Sequence, residues 1–237
     1  MKGYSQDIRV DFHDVDVNGI CRASALLKYM QTNAQHQLNE ANLSYDELRA
    51  MNKAFILSKI RLEFASSVHA EQILTATTYP CTSAGFSFVR SFELGHNGKR
   101  VARGISVWAL VNTNTKALVR VSDFDLGIAT YNAPEDFALP RFKFPSDAAL
   151  VGNYKVAYGD LDRNGHMNNT RYPDVYACFL PLKGKRISEI TISYNNEAKF
   201  AEMLSVYLTM RDGIYYIRTL NEDGRINSEA EIHICDI

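Results

Sequence analysis

Apolar and polar residues alternate singly through Ile8-Arg9-Val10-Asp11-Phe12, the period of a strand with one buried face. The pattern then switches. From Ala25 to Leu43 the residues Leu26, Tyr29, Met30, Ala34 and Leu38 recur at helical spacing, which predicts one long helix. Four strand-like runs follow, Ala54–Phe64, Gln72–Cys81, Phe86–Leu94 and Arg100–Val111. Tyr79-Pro80 is expected to close the second run, and His96-Asn97-Gly98 to turn the hairpin between the last two. Between Ser122 and Val151 the periodicity fades, and Pro134, Pro140 and Pro145 interrupt an acidic stretch that reads as a linker. Order then restarts with a strand at Tyr154–Tyr158, a helix from about Asn169 to Leu180, and strands near Ile187–Ala198, Met203–Arg211, Ile214–Leu220 and Ile226–Ile234. Asp212-Gly213 and Asp223-Gly224 supply hairpin turns.

Both halves thus read strand, long helix, antiparallel strands. Asp14-Val15-Asp16-Val17-Asn18-Gly19 in the first half also matches Asp160-Leu161-Asp162-Arg163-Asn164-Gly165 in the second, at one constant offset and at the same strand-to-helix junction. This points to an internal duplication. The fold expected is α+β, two tandem hotdog domains, each a long helix wrapped by an antiparallel β-sheet. The units are residues 1–130 and 151–237, with 131–150 as the linker.

A length of 237 residues accommodates two small domains, and 46% hydrophobic with 22% charged content excludes a chain that is mainly disordered. The N-terminus shows no secretory or transit pattern, and no apolar run reaches membrane-span length. A net charge of -1 offers no global attraction for nucleic acid or anionic lipid. Cys21, Cys81, Cys178 and Cys235 are scattered without a Cys-x-x-Cys pair, so neither a zinc site nor a disulfide framework is expected, and the cytoplasm is the simplest compartment. Cys178 is expected to be a buried small thiol on the second helix. His13, His36, His69, His96 and His233 lack metal-ligand spacing and read as surface or structural residues.

Asp-x-Asp-x-Asn-Gly also opens a calcium-binding EF-hand loop, but the glutamate needed at the twelfth position falls on Arg171 in one copy and Ala25 in the other. The calcium reading fails. In the second copy Asp162, Asn164 and His166 occupy alternate positions of an extended segment and would project to one side. A carboxylate, an amide and an imidazole together can orient a nucleophile, move a proton and donate to an oxyanion. Asn168 or Asn169 would cap the helix that follows. The competing reading is that Asp and Asn merely form a good turn. The first copy supports it in part, since it keeps Asp14, Asp16, Asn18 and Gly19, yet it has Ile20 where the second copy has His166. Only the second copy is chemically competent.

The run Asp162-Arg163-Asn164-Gly165-His166-Met167-Asn168-Asn169-Thr170-Arg171-Tyr172 resembles the signature of acyl-acyl carrier protein thioesterases. Tyr194-Asn195-Asn196-Glu197-Ala198 is similar to that family's second catalytic segment, and Trp108-Ala109-Leu110-Val111-Asn112-Thr113-Asn114-Thr115-Lys116 to its tryptophan strand and turn. The resemblance implies hydrolysis of fatty acyl-acyl carrier protein to free fatty acid and carrier. Asp162, Asn164, His166 and Glu197 would be the catalytic set: Asp162 attacks the thioester or orients water, Asn164 and His166 stabilise charge, and Glu197 activates water. No metal or cofactor is implied. Ala198 stands where the family carries cysteine, so no thiol can act there, and Asn195 and Asn196 replace a basic pair.

Lys183, Lys185 and Arg186 are the expected docking patch for the acidic carrier, with a solvated turn as the plain alternative. Leu26, Tyr29, Met30 and Ala34 are the expected lining of an acyl pocket in the first unit. Two functional alternatives stand beside the main one, an acyl-coenzyme A thioesterase and a non-catalytic acyl-binding module. Two fused hotdogs already supply the pairing that single ones obtain by dimerising, so the chain is expected to work as a monomer or a homodimer.

Overall fold

The structure is a computed structural model and describes residues 3–237. Its first half contains β1 (Tyr4–Arg9), α1 (Ala23–Glu40), α2 (Tyr45–Ala50), β2 (Lys53–Phe64), β3 (Ile73–Ala84), β4 (Ser87–His96), β5 (Lys99–Asn112) and the short β6 (Leu118–Val119). The second contains β7 (Ala149–Lys155), α3 (Tyr172–Ala177), β8 (Lys185–Tyr194), β9 (Met203–Arg211), β10 (Ile214–Leu220) and β11 (Ile226–Asp236). Ten strands form one antiparallel path, β1-β3-β4-β5-β2-β8-β11-β10-β9-β7, with β6 beside β5. The order reads the same from either end: each half places its first strand outermost and the strand after its helix at the centre. The halves join where Lys59–Glu63 of β2 pairs with Glu189–Ser193 of β8. Two helix-bearing sheets fused edge to edge define a double hotdog.

Strand alternation decides which side chains meet α1. Ile60 and Leu62 of β2 are buried beneath it, while Lys59, Arg61 and Glu63 face the opposite side. The helix approaches the sheet closely at Gly104, where an added Cβ would lie 2.9 Å from Leu62 Cδ2 and 3.1 Å from Met30 Sδ. Ala25, Leu26, Leu27 and Met30 are almost fully buried in this contact.

Three expectations change. Pro80 does not end its strand: β3 runs on to Ala84, with Pro80 paired to Arg90. Its carbonyl accepts from Tyr131 N at 3.1 Å on the side away from β4, so the missing N–H faces no ladder partner. The second helix is much shorter than expected. Asn169–Arg171 is a 3₁₀ turn, α3 stops at Ala177, and Cys178 N to Val175 O and Phe179 N to Tyr176 O are tight three-residue bonds. Pro181 supplies no N–H and disfavours helical geometry just before it. Cys178 is therefore exposed rather than buried.

The segment preceding β7 lacks regular elements but is packed against the sheet. Phe137 is 1% exposed and lies between the guanidinium groups of Arg61 and Arg103, 4.4 and 4.1 Å from the ring centre. Arg61 donates to Ala138 O at 2.9 Å, Lys59 to Pro140 O at 2.7 Å, and Arg103 to Asp136 at 2.7 Å. Phe144 repeats the arrangement under Arg218 on β10. The segment is a strap across the face of the sheet opposite α1.

Candidate active site

The duplicated motif folds into the same loop twice. In the second half Asp162 Oδ1 accepts from Asn164 N at 2.7 Å and His166 N at 3.3 Å, and Asp162 Oδ2 from Asn164 Nδ2 at 3.3 Å. In the first half Asp16 accepts from Asn18 N at 2.8 Å, Ile20 N at 3.1 Å and Asn18 Nδ2 at 3.4 Å. Gly19 and Gly165 both take the left-handed backbone conformation, at φ 72° and 79°, that closes the turn. Asp160 anchors the second loop from behind, binding Tyr154 Oη at 2.7 Å, Ala157 N at 2.9 Å and Arg171 Nε at 3.0 Å. Burial alone would raise the Asp160 pKa, but those three partners outweigh it and hold the carboxyl below its usual range. Burial, together with the Asp160 bond, pushes the Tyr154 phenol up to about 12.

His166 and Glu197 meet here, although thirty-odd positions separate them in the sequence. The imidazole Nε2 lies 3.1 Å from Glu197 Oε2. Glu197 follows β8 in a turn whose backbone is pinned from several sides. Asn227 Nδ2 donates to Asn196 O at 2.6 Å, Asn221 Nδ2 to Glu197 O at 3.1 Å, and Met167 N to the buried Ala198 carbonyl at 2.8 Å. The same frame in the first half has Cys21 N donating to Val68 O at 2.7 Å. By that correspondence Ile20 stands for His166 and Ser67 for Glu197, so the first copy lacks both members of the pair.

Asn164 is held from the other half of the chain. Its Oδ1 accepts from Tyr45 Oη at 2.9 Å and from Arg49 Nη2. Since a guanidinium can only donate, the contact fixes which side-chain atom is oxygen and leaves one Nδ2 hydrogen beyond the bond to Asp162. The arrangement is mirrored in the degenerate copy, where Asn18 Nδ2 contacts Leu182 O at 3.3 Å and Lys185 O at 3.4 Å across the junction. Tyr45 and Arg49 went unpredicted because α2 did. Its signal was present in Ser44-Tyr45-Asp46-Glu47, a capping box in which Ser44 N donates to Glu47 Oε2 at 2.7 Å.

Asp162, Asn164, His166 and Glu197 line one cavity of about 450 Å³, with Tyr172 and Tyr194. It meets a narrower apolar cavity of about 170 Å³ at Arg49, Ala54, Phe55 and Asn164. Of the four expected acyl-lining residues only Ala34 borders that second space. Met30 turns into the core, Leu26 borders a separate space beside the degenerate loop, and Tyr29 donates to Asp14 at 2.5 Å. The helix offers the cavity a neighbouring face, Gln31, Ala34, Gln35 and Leu38. Lys183, Lys185 and Arg186 do not reach the His166 cavity. Lys183 and Arg186 border a third space of about 580 Å³ beside the degenerate loop, and Lys185 lies 3.6 Å from Asp236. The cations at the His166 cavity are Arg49 and Lys116. Asn168 caps its turn, accepting from Thr170 N at 2.9 Å.

The double hotdog thus places a carboxylate-imidazole pair beside a cavity lined from both of its halves. Residues 1–126 match the family model of the acyl-ACP thioesterase N-terminal domain, and residues 145–234 that of its C-terminal domain. The chain belongs to the acyl-ACP thioesterase family. Among solved structures, an acyl-ACP thioesterase from Bacteroides thetaiotaomicron superposes with a TM-score of 0.89 at 19% identity, covering 98% of this chain and 97% of that one. The 12:0-ACP thioesterase from Umbellularia californica gives a TM-score of 0.83 at 16% identity, with 99% and 97% coverage. Both show the shared fold. The chloroplastic acyl-[acyl-carrier-protein] hydrolase FATB3 of Cuphea viscosissima is 19% identical over 87% of this chain, which spans 55% of that plant protein. Among the described residues no helix is long and apolar enough to cross a membrane.

Proposed function

We propose that the chain hydrolyses the thioester between a fatty acyl group and acyl carrier protein, releasing free fatty acid and the carrier thiol. The observation that carries this reading is the His166–Glu197 contact, 3.1 Å, beside Asn164 at the meeting of two cavities. The acyl chain enters the narrower cavity, and the thioester carbonyl lies at Asn164. Glu197 uses the oxygen not engaged by His166 to take a proton from water, whose oxygen attacks the carbonyl carbon. The remaining Asn164 Nδ2 hydrogen donates to the oxyanion, with the imidazole adding positive potential. The carbon–sulfur bond then breaks, and the proton held by the Glu197–His166 pair passes to the departing sulfur.

Asp162 acts as a positioning residue in this scheme. Its oxygens already accept from two backbone amides and Asn164, and Asp16 makes the same bonds in a copy without histidine. The division of labour assigned is acyl-chain binding to residues 1–130 and chemistry to 151–237. The family's carrier is acidic, so Arg49 and Lys116 are the better-placed docking cations. Four free cysteines fit a reducing cytoplasm, and the internal pairing of halves lets a monomer act.

Steady-state hydrolysis of matched acyl-acyl carrier protein and acyl-coenzyme A thioesters tests this, beside His166→Ala and Glu197→Gln. Fatty acid release from the carrier series, with each folded variant reduced at least about a hundredfold, is the expected result. Equal turnover of both donors would make it a general acyl thioesterase. Binding without release would make it an acyl-binding module.

A further inference from the structure

The narrower cavity contains a charge that an ordinary hydrocarbon chain does not match. Arg90 lies on β4 between Phe88 and Phe92, in the row facing α1, and is only 7% exposed. One guanidinium nitrogen, Nη1, donates to Gln37 Oε1 at 2.6 Å and Thr78 Oγ1 at 3.1 Å. Both acceptors are neutral, and among the described residues no carboxylate pairs with Arg90, whose Nε and Nη2 side-chain donors have no protein acceptor. Burial pulls its pKa down to about 10, which leaves the group a cation at neutral pH. Buried charges are normally paired, because desolvation is otherwise uncompensated.

Arg90 borders the cavity that begins at Asn164, where its apolar walls include Leu38, Leu48, Phe88 and Trp108. A second group there is also unmatched: Gln31 Nε2 is buried and has no hydrogen-bond partner among the described residues. An apolar passage that starts at the catalytic amide and contains an unpaired guanidinium and an orphan amide donor fits a chain with an oxygen-bearing end. We propose that the preferred substrates are thioesters of ω-carboxylated acyl chains, whose terminal carboxylate pairs with Arg90. The inference rests on the hydrolase reading above and names its substrate class. A methyl terminus would leave the cation unpaired, a hydroxyl would offer it a single neutral oxygen, and a carboxylate offers two charged ones in the planar geometry that a guanidinium matches.

The test uses acyl-acyl carrier protein thioesters of equal chain length ending in methyl, hydroxyl or carboxylate, with wild type, Arg90→Met and Arg90→Lys. Calorimetric binding of the matching free monoacid and diacid runs beside it. Wild type should favour the carboxylate end over methyl by about tenfold or more in kcat/KM, mainly through KM. Arg90→Met should invert the order, and Arg90→Lys should retain part of it. Methyl-ended substrates that do as well in wild type, or a preference for hydroxyl over carboxylate, would overturn the proposal. If Arg90→Met does not fold, the wild-type ranking and Arg90→Lys decide. If no thioester is hydrolysed, the hydrolase reading fails by itself, and diacid binding that is tighter than monoacid binding and weakened by the Arg90 variants still upholds the site, while equal binding overturns it.

Discussion

Asp16→Ala and Asp162→Ala make a matched pair of perturbations, because the duplicated loop separates the structural use of this carboxylate from its chemical use. Asp162 accepts from two backbone amides at 2.7 and 3.3 Å, and Asp16 from their counterparts at 2.8 and 3.1 Å. Hydrogen bonds to a charged group contribute roughly 1.5–3 kcal/mol each, but both loops are partly solvated and water replaces part of the loss. A cost of about 1–2 kcal/mol is expected for either variant, equal to within about 0.5 kcal/mol. Activity should separate them. Asp162→Ala also releases Asn164 Nδ2, held at 3.3 Å, and should lower kcat about a hundredfold by misaiming an oxyanion donor. Asp16→Ala should leave kcat nearly unchanged, and Asp162→Asn, which keeps an acceptor oxygen for both amides, should be milder than Asp162→Ala. Urea unfolding and steady-state hydrolysis measure the two axes. Equal loss of activity in both alanine variants would show that the loop supports only the fold. An Asp162→Asn variant of unaltered stability but no activity would instead make this carboxylate the nucleophile and refute its positioning role.

Removing the Tyr45 hydroxyl in Tyr45→Phe deletes one bond to Asn164 Oδ1 and should lower kcat about fivefold with KM nearly constant, measured on carrier-linked substrate. Asp160 has its folded pKa held below the ordinary 3.8, so its contribution to stability is present above about pH 4 and is lost as pH falls through the folded value. Asp160→Asn should therefore be less stable than wild type at neutral pH and show a flatter acid limb in urea unfolding; an unchanged acid limb would assign the loss to other carboxylates. Phe137→Ala empties the slot between Arg61 and Arg103 and should cost about 3–5 kcal/mol, with earlier limited proteolysis in the strap; proteolysis unchanged from wild type would mean that the backbone bonds suffice.

The signals that were legible in the sequence were local ones. The alternation of β9 and β10 predicted their limits, and the repeated Asp-x-Asp-x-Asn-Gly located the junction loops because a turn depends on its own few residues. Glu197 was reached through family resemblance, since nothing local couples it to His166. What the sequence left open depended on distant surfaces. The 3.6-residue period marks α1 as having a buried face but cannot tell core from cavity, so it does not separate Met30, in the core, from Ala34, which borders the narrower cavity. Lys183 and Arg186 formed a basic cluster in sequence, yet the chain carries them to the degenerate loop, while Arg49 arrives at Asn164 from the far side of the sheet seam. The strap was read as a linker because its periodicity is absent, and its packing comes from Arg61, Arg103 and Arg218 on separate strands.

The reciprocal clasp across the seam ties the loop without the histidine–glutamate pair to the one that has it. The two copies differ at the positions that matter most, with Ile20 and Ser67 where the second has His166 and Glu197. Asp16 and Asn18 are not free in the same way, because Asn18 reaches across to the carbonyls of Leu182 and Lys185 just as Tyr45 and Arg49 reach across to Asn164. A substitution in either loop therefore disturbs contacts on both sides of the seam, and the copy without the histidine–glutamate pair is constrained by the half it touches.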